Sequence, residues 1–204
     1  MFLICKKQDL FNEKKGILGI ISEFITNETL LNSFKMSDDD MKEFVEKINQ
    51  KKPIIIRAYV QSIDLLARFI KKNKLEVYSP QSIICTAGTL HKFVRERLEK
   101  VFKTNVINFY GSREIGSVAF SCPNNPKNMH INIFDQYIEI LDNKLNAISN
   151  DKIGDLYITN LNNYVMPLIR YKIGDVAKKS KEKSCPCNRG LTLIKSVKGR
   201  EINL

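Results

Sequence analysis

Tyr110-Gly111-Ser112-Arg113-Glu114-Ile115-Gly116 is the stretch against which the fold of this chain is read. It follows an apolar run, Val106-Ile107-Asn108-Phe109, that ends as a strand would. Two glycines five positions apart then enclose a hydroxyl, a guanidinium and a carboxylate. Glycine lets backbone approach a ligand closely, so the polar side chains can turn together into one cleft. Loops at the carboxyl ends of strands are also where open α/β sheets bind ligands. Two readings stand side by side: a ligand-binding loop, or a strand-to-strand turn with a solvated Arg-Glu pair. Two later clusters bear on the choice, Pro167-Leu168-Ile169-Arg170-Tyr171-Lys172-Ile173-Gly174-Asp175 and Gly199-Arg200.

Upstream, strands alternate with helices. Ser37-Asp38-Asp39-Asp40 opens a helix, because Ser37 can cap and the carboxylates face the positive end of the helix dipole. Met41, Phe44, Val45 and Ile48 then repeat at helical spacing on one face. Pro53 ends it, and Ile54-Ile55-Ile56 reads as a buried strand. Ser62 opens a second helix with Leu65, Leu66, Phe69 and Ile70 facing inward. Ser82–Thr86 is the next strand and leads into Ala87-Gly88-Thr89, where Thr89 can cap a third helix carrying Phe93, Val94, Val101 and Phe102. Residues 8 to 33 stay open, with 28 to 34 either a helix end or a strand. Strands joined by helices imply crossovers and a parallel sheet.

Beyond Gly116 the pattern changes. Short strand-like runs follow at 118–121, 130–133, 137–141, 155–159, 168–172 and 191–194, linked by Pro, Asn, Asp and Gly. That is an antiparallel, barrel-like half. The expected architecture is α/β, with residues 1–116 the parallel part and 117–204 the antiparallel part.

The 204 residues can bury a real core. No apolar run approaches the roughly 20 residues that cross a bilayer; the best, Ile17 to Ile21, is broken by Gly19. The first residues place their charges after the apolar ones, the reverse of a secretory signal, so a cytoplasmic chain is expected. The net charge of +11 comes from 25 Lys and only 8 Arg, spread along the sequence. Nucleic-acid readers lean on Arg forks, so a solvated Lys-rich surface is expected rather than a nucleic-acid partner. Five cysteines in such a chain suggest buried thiols or metal ligands rather than disulfides. Cys5 and Cys85 sit in apolar runs and read as core. His91 reads as a surface residue one turn into a helix.

Taken in order, Tyr-Gly-Ser-Arg-Glu, then Gly154-Asp155-Leu156-Tyr157-Ile158-Thr159-Asn160-Leu161, then Pro-Leu-Ile-Arg-Tyr-Lys-Ile-Gly-Asp, then Gly-Arg resemble the motifs of adenylate-forming enzymes. The resemblance covers roughly residues 30 to 204 and is to the phenylacetate–CoA ligase branch and its CapK-type capsular polysaccharide proteins. It implies part of the family's large N-terminal domain and a two-step reaction. ATP and a carboxylic acid give an acyl-adenylate and pyrophosphate, and a nucleophile such as a thiol then takes the acyl group. Glu114 would bind the magnesium that bridges the ATP phosphates, a metal that prefers oxygen ligands. Tyr110 would lie beside the adenine, with Ala87-Gly88 backbone on its other face. Gly111, Ser112 and Arg113 would complete the AMP-binding loop; Arg113 departs from the superfamily's Thr but suits the CapK-type branch. Asp175 would accept from both ribose hydroxyls, and Arg200 would reach the ribose or phosphate. A simple turn after Gly174 is the alternative for Asp175.

The family's Ser/Thr-rich phosphate loop is not found in this sequence. Neither is the lysine-bearing C-terminal domain, and only Glu201, Ile202 and Asn203 stand where the hinge should begin. The expectation is a fragment of an acyl- or aryl-adenylating ligase that does not turn over alone. Its implied partner is a chain carrying the missing halves. A non-catalytic, zinc-stabilised remnant that binds a nucleotide or a partner is the alternative.

Cys122 and His130 bracket a turn rich in Pro and Asn, and Cys185-Pro186-Cys187 lies on another, closed by Gly190. Three thiols and an imidazole form the closed tetrahedral set of a structural zinc site. Members of the branch often carry Cys and His at matching places, which resembles a zinc site pinning two loops. Free thiols and a solvent-facing His are the alternative.

Overall fold

The structure, a computed structural model, describes residues 2–6, 25 and 28–200. The expectations for Ile17–Ile21, for Glu201–Asn203 and for the side chains of Cys5 and Arg200 lie outside the described residues. The chain forms two compact units, Met1–Val106 and Ile107–Leu204.

In the first unit β1 (Phe2–Lys6), β2 (Glu28–Asn32), β3 (Ile55–Tyr59) and β4 (Ser82–Thr86) run parallel in the order β2-β1-β3-β4. In the open segment at 28 to 34, residues 28–32 are therefore a strand and a turn follows. Helix α1 (Asp38–Lys51) leaves Ser37 as expected: the Ser37 hydroxyl accepts the Asp40 N–H, and the Asp40 carboxylate accepts the Ser37 N–H. Its buried face is Met41, Phe44, Val45 and Ile48, and it stops at Lys52, which is left-handed at φ 46° just before Pro53.

The other two helices start elsewhere than expected. Helix α2 (Val60–Lys72) leaves β3 directly with no side-chain cap, and Ser62 donates instead to the Ser33 carbonyl at 3.1 Å. Its buried face is Val60, Ile63, Asp64, Leu66, Ala67 and Ile70, so Leu65 points outward. Helix α3 (Lys92–Phe102) is preceded by His91 at the cap position rather than capped by Thr89. Phe93 is exposed, stacked on His91 at 5.5 Å and approached by the Arg97 guanidinium at 5.9 Å. Asp64, nearly buried, accepts from Arg68 and from Arg97, tying α2 to α3. A core of Ile48, Ile56, Ile63, Leu66, Ile83, Leu98 and Phe102 fills the unit.

In the second unit, every pair of neighbouring strands is antiparallel. β5 (Asn105–Ser112), β6 (Gly116–Cys122), β7 (Asn125–Ile131), β8 (Gln136–Leu141), β9 (Ile153–Asn160), β10 (Tyr171–Lys179) and β11 (Leu193–Arg200) take the order β5-β6-β7-β11-β10-β9-β8. The tenth strand corrects the expected 168–172. The run Leu168-Ile169 lies outside it with Ile169 exposed, while the strand is Lys-rich and held by ion pairs of Lys172 with Asp155 (2.7 Å) and Lys178 with Asp151 (2.9 Å). The sheet curls. Gln136 and Asn160, in register on β8 and β9, both donate to the Ile115 carbonyl between β5 and β6, at 2.9 and 3.2 Å. Ile115, Val118, Met129, Ile131, Leu156, Ile158 and Ile194 fill the inside of that curl.

Candidate functional site

The stretch at 110–116 is a hairpin. Ser112 pairs with Gly116 across a turn of Arg113, Glu114 and Ile115, and the Ser112 hydroxyl accepts the Ile115 N–H at 3.2 Å. A side chain at position 111 would collide with the Gly116 carbonyl oxygen, so the first glycine of the motif is dictated by the close approach of two strands. Of the two readings, the strand-to-strand turn describes the backbone, with Arg113 and Glu114 exposed at its tip. Beneath them Ile115 is buried, and the clamp from Gln136 and Asn160 holds its carbonyl. Asn160 also accepts the backbone N–H groups of Asn162 and Asn163, each at 2.9 Å. Asn160 stands in the motif quoted at 154–161 but was given no such role from the sequence, and Gln136 was not singled out. Their only common signal is the pairing of Gln136 with Asn160 across β8 and β9, which local motifs do not reveal.

The three motif clusters converge at one place in this unit. The Tyr110 hydroxyl donates to Asp175 Oδ2 at 2.6 Å across 65 positions of sequence. Burial, then that bond, then the Asp175 charge push the Tyr110 pKa far above the ordinary phenol value. Asp175 sits on a bulge: the register of β10 shifts against both β9 and β11 around it. Gly174 there takes φ +85°, which a residue with a side chain rarely adopts, and bulges re-aim the neighbouring side chain. Arg200 faces Asp175 in register on β11. Tyr110, Asp175 and the backbone position of Arg200 are thus brought together, while Arg113 and Glu114 lie on the turn that follows Tyr110. Gly88 belongs to the first unit, just past β4, where Val60 at the start of α2 packs against it.

Cys122, His130, Cys185 and Cys187 form the second cluster. Their ligand atoms all lie within 4.8 Å of one another. Cys122 ends β6, His130 is on β7, and the other two flank Pro186 before β11; Leu193 packs beside the thiols. His130 is fully buried, with Nε2 3.4 Å from Cys187 Sγ, so it does not face solvent. Burial lowers its pKa, helped by the Arg189 charge and opposed by the Leu191 backbone, which favours the neutral imidazole a metal needs. The Cys187 thiol is held below its ordinary value, first by the Arg189 backbone N–H, against burial, with the Cys185 and Cys122 sulfurs and the Arg189 charge adding to the shift. At Cys185 the Cys187 backbone N–H pulls down, but burial and the two neighbouring sulfurs outweigh it and raise the value. Zinc–sulfur bonds near 2.3 Å and a zinc–nitrogen bond near 2.0 Å put tetrahedral donors about 3.5–3.8 Å apart, within the spread these four atoms keep. The donor set fits zinc.

No protein-family profile matches the sequence. The chain is 27% identical over 175 residues to protein CapK of Staphylococcus aureus, covering 85% of this chain and 37% of that protein. Among solved structures, 2-hydroxyisobutyryl-CoA ligase in complex with 2-HIB-AMP and CoA aligns at a TM-score of 0.75 and 15% identity, over 98% of this chain and 44% of that one. A benzoate CoA ligase from Burkholderia xenovorans LB400 aligns at 0.63 and 14% identity, over 98% and 42%. At such identities the structural likeness is one of fold. The chain spans well under half the length of each of these relatives. The chain is thus similar in sequence to part of CapK and shares the fold of part of these acyl-CoA ligases.

Proposed function

We propose that the chain is a segment of an ATP-dependent acyl- or aryl-adenylating ligase of the phenylacetate–CoA ligase and CapK type, inactive as these 204 residues alone. The observation that carries the reading is the contact of Tyr110 with Asp175, two motif residues 65 positions apart that an adenosine-site reading needs close together. Tyr110 would offer a ring to adenine and Asp175 would accept from ribose hydroxyls, with Arg200, in backbone register with Asp175 on the next strand, the residue for ribose or phosphate. Glu114, on the hairpin with Gly111, Ser112 and Arg113, would take magnesium, whose role is to neutralise the phosphates during adenylyl transfer. Positioning and charge stabilisation supply most of that catalysis. The division at 1–116 and 117–204 into a parallel and an antiparallel part of one adenylation domain belongs to the same proposal, as do a carboxylic acid substrate and a cytoplasmic site of action.

Zinc on Cys122, His130, Cys185 and Cys187 would staple the β6–β7 hairpin to the loop before β11 and take no part in the reaction. That cluster also favours a second reading, a zinc-stabilised module that binds nucleotide or a partner chain without catalysis. Acid-dependent exchange of pyrophosphate into ATP separates the two when assayed on this chain and on a longer form supplying a phosphate loop and a lysine domain. The fragment should be silent and the longer form active. Robust exchange by the fragment would overturn its proposed inactivity; silence of both would favour the second reading.

A further inference from the structure

We propose that the Tyr110 hydroxyl, and not only its ring, sets the selectivity of the site for ribose over 2′-deoxyribose, by holding the Asp175 carboxylate in its accepting orientation. The inference rests on the adenosine-binding reading and adds to it a positioning role for an atom that ring stacking does not use. The geometry is specific. Tyr110 lies on β5 and Asp175 on the β10 bulge, and a hydroxyl-to-carboxylate bond of 2.6 Å is in the short range of charge-assisted bonds. The bond engages Oδ2 alone. A carboxylate has about four acceptor sites, so Oδ1 and the remaining site on Oδ2 can still receive the two ribose hydroxyls while Tyr110 fixes the carboxylate plane. An aspartate on a bulge would otherwise turn about its side-chain bonds, and ordering it only when ligand arrives weakens binding. Both residues are half-buried, so water competes poorly for the bond. The strands' own pairing leaves this role to side chains: β5 pairs with β6, whereas β10 pairs with β9 and β11.

The test compares Tyr110→Phe with the unaltered chain. Phenylalanine keeps the ring and removes only the hydroxyl. Dissociation constants are measured for adenosine 5′-monophosphate and its 2′-deoxy analogue by ligand-observed NMR. The unaltered chain should prefer the ribonucleotide by roughly tenfold, the worth of one hydrogen bond to a charged group. Tyr110→Phe should narrow that preference to about threefold or less, chiefly by weakening the ribonucleotide. A variant that is merely less well folded would weaken both nucleotides alike and keep the ratio. Carbon-13 labelling of aspartate gives a readout without ligand, since the Asp175 carboxyl resonance should shift in the variant. An unchanged ratio, or an unmoved Asp175 resonance, overturns the inference while leaving the adenosine site standing. If the unaltered chain binds neither nucleotide even at millimolar concentration, the adenosine reading falls first and this inference falls with it.

Discussion

Replacing Cys185 with Ser should cost the second unit its metal and a large part of its stability. From His130 to Cys185 the chain runs 55 positions, and a four-ligand metal closes that segment into a loop. By the loop-entropy reasoning used for disulfides, closing a loop of this length restricts the unfolded chain by about 4 kcal/mol. The serine hydroxyl does not ionise as a thiol does, so three donors remain and the closure is largely lost. In a domain of about 100 residues each kcal/mol moves the melting temperature by at least about 4 °C, so loss of the whole closure gives a fall of roughly 15 °C or more. Part of that could come from placing a hydroxyl where Cys185 is buried beside Leu193. A chelator separates the two effects. Thermal melts of the unaltered chain should drop toward those of the variant when zinc is stripped, and the variant should not respond. Protons compete for thiolate and imidazole, so bound zinc should be released as the pH falls below about 6. Untagged protein that carries less than about 0.2 zinc per chain, and melts identically with and without chelator, would refute the reasoning.

Three further outcomes follow from particular contacts. Gly111→Ala should destabilise the hairpin by about 2–3 kcal/mol in chemical denaturation, because its side chain meets the Gly116 carbonyl and the strands must part. Asp64→Ala should cost about 3 kcal/mol, since it strands the cations of Arg97 and Arg68 beside a buried site, whereas Arg68→Ala, on the more exposed arm, should cost under about 1 kcal/mol. Burial pushes the Cys85 thiol up to about 12 from 9.0, opposed by the Arg95 charge. Its contribution to stability is therefore complete below about pH 9 and is lost as the pH rises from there toward 12, because the unfolded chain gives up that proton first. Cys85→Val should flatten the alkaline limb of a stability–pH curve, and native Cys85 should resist thiol reagents near pH 8.

The first helix was legible because its signals are local: a capping Ser followed by carboxylates and an apolar repeat need no knowledge of the rest of the chain. The second and third were legible as helices but not in their starts or faces. Helix α2 begins as it leaves β3, and its Ser62 is drawn away by a carbonyl 29 positions distant. At the start of α3, Phe93 is exposed and meets His91 and Arg97 instead of the core, which periodicity cannot show. The strand β10 was misplaced because an apolar run, Leu168-Ile169, outweighed a Lys-rich segment whose cross-strand carboxylates lie far away in sequence. The motif residues Tyr110, Asp175 and Arg200 were named from order along the chain, and the fold brings their positions together. The Gln136–Asn160 clamp stayed hidden, since an amide on each of two strands has no meaning until the register places both on one carbonyl.

The most direct test of the central claim is a titration of isotopically labelled chain with adenosine 5′-monophosphate, followed by the backbone amide resonances. The resonances of Tyr110–Gly116 and Ile173–Val176 should move together with one dissociation constant, and Asp175→Asn should abolish the movement without altering the rest of the spectrum. Resonances that move elsewhere while those two segments stay still, or a spectrum unmoved by millimolar nucleotide, would contradict it.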